Sequence, residues 1–199
     1  MKHLFLLLTF FSTTLCFGQP YQRFNGESNE DFVKRITRTT SLSYAVIETN
    51  EWDPTHKSLI YFLPFGKKKG EAAIIGYVLV PKSMMTYRKI LIDTFFQEGG
   101  DPGIENVFFA NADKDKEREL IIMIRWPQDH PGAGIVGTLY GTHIFDDPSP
   151  TIEEYQLKFF KALSEKLDGG FEGKRNSETV KADFKNAVQI RAGLRKLGY

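Results

Sequence analysis

Short apolar runs alternate along this chain with polar breaks rich in Gly, Pro and Asp, and the period of each run predicts its element. Ser28, with Asp31 three residues on, approximates a capping box. Phe32, Val33 and Ile36 then share a face and Lys34, Arg35 and Arg38 oppose it, which predicts a helix to about residue 39. Runs rich in β-branched and aromatic residues follow at 42–49, 58–65, 71–80, 86–97, 104–110, 120–126 and 135–145. In the sixth, Leu120, Ile122, Ile124 and Trp126 alternate with Ile121 and Met123. Both faces are apolar, which predicts a strand covered on both sides. The links are short, so successive strands should pair antiparallel as a meander.

Asp146-Asp147-Pro-Ser-Pro ends the strand region. Tyr155, Phe159, Ala162 and Leu163 then recur at helical spacing, predicting a helix over 153–167 that stops at Gly169-Gly170. Residues 171–181 read as irregular. Asn186 is a credible N-cap for a last helix carrying Ala187, Ile190, Leu194 and Leu197 on one face, with Gly198 as its stop. The predicted class is α+β: an antiparallel meander of about seven strands, with one N-terminal and two C-terminal helices packed on the sheet.

The first eighteen residues have a different character. Lys2 precedes an apolar stretch from Leu4 to Leu15, and Cys16-Phe17-Gly18 ends with small residues where a signal peptidase reads. Residues 1–18 are therefore expected to be a signal peptide and 19–199 a single exported domain, periplasmic or secreted. Lipid attachment at Cys16 is a minor alternative, because Leu15 stands where a small residue is usual. Lys2 is the segment's only charged residue, so the rest of the chain carries 25 basic and 25 acidic residues. Zero net charge argues against a nucleic-acid partner or an acidic membrane surface. The chain after residue 18 has no cysteine, so its core must hold it without disulfides. It also has no apolar run long enough to span a bilayer.

The link between the fifth and sixth strands carries the clearest candidate chemistry. Asn111, Asp113, Asp115 and Glu119 occupy positions 1, 3, 5 and 9 of a tight turn. Alternating oxygen donors of this kind suit a hard cation such as calcium. Residues 105–124 resemble the Asp-rich loop of FG-GAP and VCBS-type repeats of exported proteins, in which an acidic run separates an aromatic-rich strand from an apolar one. The resemblance implies calcium as the ligand. Lys116 departs from it, standing where those loops carry glycine. There is no second copy of the motif, so a repeat propeller is not expected.

In a meander, alternate loops share an end. Glu51, Asp53, Asp113, Asp115, Asp146 and Asp147 should gather there, with His56 and His143 nearby, and a strand spacing of about 4.8 Å lets Asp146 approach Asp113 or Asp115. The lysines of the 66–70 turn read as solvated charge at a hairpin tip.

Known catalytic motifs are missing. There is no G-x-S-x-G elbow, H-E-x-x-H helix or phosphate-binding Gly loop. His130 and His143 lie about 40 Å apart if the strand between them is extended. The reading is a non-catalytic binding or interaction module for a protein or glycan partner, with Tyr44, Trp52, Tyr61 and Tyr140 as candidate contact rings. Two alternatives stand beside it: a calcium-stabilised structural domain, and an extracytoplasmic hydrolase whose site only folding assembles.

Overall fold

A computed structural model describes residues 20–66, 71–149 and 154–199. The expected signal peptide and the lysines of the 66–70 turn lie outside the described residues. The strands form two antiparallel five-stranded sheets rather than one seven-stranded meander. The first sheet contains β1 (Tyr21–Gln22), β2 (Ile47–Thr49), β3 (Ser58–Phe65), β4 (Ala73–Pro81) and β5 (Thr86–Phe96), in the order β1-β5-β4-β3-β2. The second contains β6 (Gly103–Ala110), β7 (Glu119–His130), β8 (Ile135–Phe145), β9 (Gly170–Arg175) and β10 (Glu178–Val180), in the order β10-β9-β8-β7-β6. Each sheet is largely a meander. The chain passes between them after β5, where Gly100 lies so close to the Pro127 carbonyl that a Cβ would sit 1.8 Å from its oxygen.

The sequence contains the reason for two sheets. Strands β3, β4 and β7 are apolar on both faces, and each face needs a cover. Ile60, Phe62, Val78, Ile90 and Ile92 of the first sheet meet Leu120, Ile122, Ile124, Trp126 and Phe145 of the second in one buried core. Helix α1 (Asn29–Thr37) covers the outer face of the first sheet, packing Phe32 and Val33 on Leu59, Tyr61, Leu79 and Tyr87. Helices α2 (Lys161–Lys166) and α3 (Ala187–Leu197) cover the outer face of the second over Ile121, Met123 and Ile144. The three helices thus divide between two outer faces instead of sharing one. Among the described residues, no helix is long and apolar enough to cross a membrane.

The predicted caps of α1 and α3 form. Ser28 Oγ accepts the Asp31 N–H at 3.1 Å and donates to the Asp31 carboxylate. Asn186 Oδ1 accepts the Gln189 N–H at 3.0 Å, and Gly198 closes α3 in the left-handed region. Two predictions fail. Residues 171–181 are not irregular: they form β9 and β10, joined at Asn176-Ser177 with both residues at positive φ. That conformation is the type I′ hairpin turn, whose usual signal is Asn-Gly. The helix expected over 153–167 is also shorter, and its described first part is an extended strap. Gln156 bridges Leu91 of the first sheet, Phe159 bridges Phe145 of the second, and Leu157 enters the core.

Candidate metal centre

Glu119 opens β7, and Asp146 follows the last residue of β8. The register pairs Leu120 with Phe145, so Glu119 and Asp146 stand opposite each other at one end of the sheet. On the other side Glu119 pairs with Ala110, the last residue of β6. Residues 111–118 therefore close their hairpin over this point. The result is a convergence of four carboxylates: Asp113, Asp115, Glu119 and Asp146 each offer an oxygen, all within 4.8 Å of one another. Calcium–oxygen distances run from about 2.3 to 2.6 Å, so oxygens this close can share one ion.

Glu119 distinguishes this group from an ordinary acidic rim. Its side chain is fully buried. Oε2 accepts the Ala112 N–H, while Oε1 is buried with no hydrogen-bond partner among the described residues. Burial pushes the carboxyl up to about 7; the Ala112 amide opposes the rise, and the charges of Asp113 and Asp115 add to it. Burial, and then the Asp113 charge, raise Asp115 as well. Asp147 is pushed up to about 6 by burial and the charge of Asp146.

The loop is fastened by its own side chains. Asp113 Oδ1 accepts the Asp115 N–H at 2.8 Å, and Asp115 Oδ1 accepts the Glu117 N–H at 3.1 Å. These are Asx turns, which leave the second oxygen of each carboxylate outside the turn bond. Asn111 Nδ2 donates to the Asp115 carbonyl at 3.3 Å. From the first sheet, the Trp52 indole donates to the Arg118 carbonyl at 2.8 Å and packs edge-on against Phe109. Among the described residues, only Arg38, Asn176 and Ser177 are non-glycine residues at positive φ. The turn therefore closes with no left-handed residue at Lys116, where a glycine was expected.

Among the described residues, one cation pairs with the group. Lys158, on the strap, sits 2.8 Å from Asp146 Oδ2, and this hydrogen bond holds its ammonium above the ordinary lysine value. A single ammonium against four carboxylates leaves a surplus of negative charge.

Comparison of the chain with protein-family models, curated proteins and solved structures gave no match.

Of the four residues marked in the sequence, Asp113, Asp115 and Glu119 come together, and Asn111 fastens the loop through its amide. Asp146 joins them, as the strand spacing allowed. Other acids of this end are occupied elsewhere. Glu51 pairs with Arg118 at 3.3 Å. Asp53 bonds to Thr55 and His56, which hold its carboxyl well below the usual carboxylate range. His130 is not in a loop but is the last residue of β7, paired with Ile135, and its Nε2 is 2.8 Å from the Gly99 carbonyl. His143 packs against the Phe95 and Trp126 rings between the sheets. The candidate contact rings serve mainly as packing: Tyr61 is fully buried, and Tyr44 and Trp52 lie against the intersheet core.

Proposed function

We propose that this chain is an exported interaction domain stabilised by a bound calcium ion, with Asp113, Asp115, Glu119 and Asp146 as the protein ligands. The buried Glu119 carboxylate carries the reading. A carboxylate oxygen with no partner costs free energy in a buried place, and here it faces three further carboxylates within reach of one ion. The donors are all oxygen, which favours calcium or magnesium over zinc or copper. Calcium suits a loop site better, because magnesium demands stricter octahedral geometry. The ion's role is to tie the β6–β7 turn to the end of β8, and Lys158 is the counter-charge it replaces at Asp146.

A thermal melt of the full chain in chelator and then in millimolar calcium tests this. Extracellular calcium modules bind with Kd of about 0.1–1 mM, so about 10 mM calcium, roughly 10–100 times Kd, stabilises by about 1.4–2.7 kcal/mol. Wild type should gain several degrees in Tm, and the Asp113→Asn/Asp115→Asn variant should gain none. A calcium-independent wild type overturns the reading.

A further inference from the structure

A second site is visible where β8 loses its neighbour. Strand β9 pairs with β8 only as far as Tyr140–Gly170. Beyond it, the strap pairs with the edge of β8 at Phe145, and the Ile144 N–H donates to Ser164 Oγ at 3.0 Å. Burial raises the Asp168 carboxyl at the same edge, against the pull of the Thr142 and Gly169 amides. Between this edge and α2 lies a cleft of about 340 Å³. That is within the range of small-molecule sites.

Gly141 forms its floor. A Cβ there would lie 2.8 Å from the Trp126 ring and 3.4 Å from His143 Nε2, so the missing side chain leaves room beside an indole and an imidazole nitrogen. The imidazole is half-buried among Phe95, Trp126 and Phe159. Its Nδ1 is buried with no partner among the described residues. An unpartnered ring nitrogen in apolar surroundings costs least without a proton, which assigns the proton of the neutral ring to Nε2. Burial holds His143 down to about 4, so the ring is neutral at physiological pH. It offers the cleft one N–H donor. The Thr142 hydroxyl, on the opposite face of β8 from His143, is also buried and unpartnered among the described residues.

The remaining lining combines aromatic rings with acceptors. Phe159 and Tyr140 supply apolar surface, Trp126, only 3% exposed, reaches the cleft with its ring edge, and Glu98, Glu165 and Asp168 supply carboxylates. An anion would meet three carboxylates against one lysine, Lys161. A simple organic cation would leave the His143 N–H without an acceptor. A ligand with an apolar C–H face and hydroxyls that both donate and accept can meet the His143 N–H and the carboxylates together.

We propose that this cleft binds a saccharide unit, its ring against Phe159 and its hydroxyls shared between the His143 N–H and the carboxylates. The observations are independent of the cation centre, so either proposal can fail alone.

The chain has two tryptophans, and Trp52→Phe leaves Trp126 as the sole indole reporter. The full chain carrying W52F is titrated with methyl glucoside, galactoside, mannoside and N-acetylglucosaminide, then with the matching β-linked disaccharides, and with choline as the cationic alternative. The expected result is a saturable change in Trp126 emission with at least one sugar. Adding His143→Phe, which keeps a ring in the aromatic cluster, should weaken that binding about tenfold or more. If that variant does not fold, Glu98→Gln at the exposed rim should weaken the same titration. Preference for disaccharides identifies a glycan chain, and equal binding of methyl glycosides a single sugar; both support the proposal. No response to any sugar, a response to choline alone, or undiminished binding in a folded H143F variant overturns it.

Discussion

Replacing Glu119 by Gln separates a cation ligand from a merely buried acid. The Glu119 carboxyl is pushed up to about 7 from its ordinary 4.5, and at 1.36 kcal/mol per pH unit its ionisation costs the fold about 3 kcal/mol. Below pH 4.5 the group is protonated in the folded and unfolded chain alike, and the penalty vanishes. Between 4.5 and 7 stability falls as pH rises, and above 7 the full penalty applies. Glutamine carries no charge. Its oxygen can keep the Ala112 N–H, and its amide N–H groups can donate to the carboxylates that face Oε1. In chelator at pH 8 the variant should therefore be more stable than wild type by up to about 3 kcal/mol, or roughly 6–12 °C in Tm for a chain of this size. At pH 5 the difference should fall to about 0.8 kcal/mol. In calcium at pH 8 the order should narrow or reverse, because the variant has lost one charged ligand. His143 titrates in the opposite sense over part of this range. Its folded value near 4 lies below the ordinary 6.5, so its contribution is lost as pH falls from 6.5 to 4. The comparison is therefore made between variant and wild type at each pH, where His143 is common to both. Urea unfolding in the four conditions supplies the free energies. A Glu119→Gln protein less stable than wild type in chelator at pH 8 would refute the charge argument, and an equal calcium gain in both proteins would remove Glu119 from the site.

Two further substitutions test the fold. Ile122→Ala removes a fully buried side chain from the intersheet core and should cost about 2–5 kcal/mol; a loss under 1 kcal/mol in urea unfolding would contradict face-to-face packing of the sheets. Tyr61→Phe removes a hydroxyl that is buried beneath α1 with no partner among the described residues. Removing an unsatisfied polar atom is neutral or stabilising, so a clear drop in Tm would show that the hydroxyl has a partner.

The parts of the fold that were legible are those whose signal is local. Ser28 and Asn186 cap helices because each oxygen reaches an amide three residues on. The two apolar faces of β7 were legible as well, but what covers them was not. Alternation shows that a face is buried and says nothing of whether a helix or another sheet buries it. The strap at 155–160 shows tertiary context overriding a helical pattern. Tyr155, Phe159 and Ala162 fit a helix, but Leu157 fills the core, and the free edges of β5 and β8 offer backbone partners at Leu91 and Phe145 that no isolated helix would find. Asn176-Ser177 was missed for a smaller reason. Its second residue lacks the glycine that usually marks this turn, so Ser177 adopts φ of 68° unannounced.

The site divides along the same line. Asp113 and Asp115 come from one turn, and their spacing alone brings them together. Asp146 is more than thirty residues on in the chain, yet its place follows from a single register: once Leu120 pairs with Phe145, the residue before one and the residue after the other must meet. A short-linked antiparallel pair of strands was predicted there, and so the approach of Asp146 to the acidic turn could be inferred. The burial of Glu119 could not. By alternation its side chain shares a face with Ile121 and Met123, and that face is closed only because α2 and α3 fold back over it from the far end of the chain. Four acids at a solvated rim would repel weakly and need no ion. The same four acids, with one sealed from water and an oxygen unpartnered, form a group that could hold a divalent cation. The distinction lies in the packing of residues 161–197 rather than in the acidic turn, so a change that loosens α3, such as Ile190→Ala, should weaken calcium binding without touching a ligand.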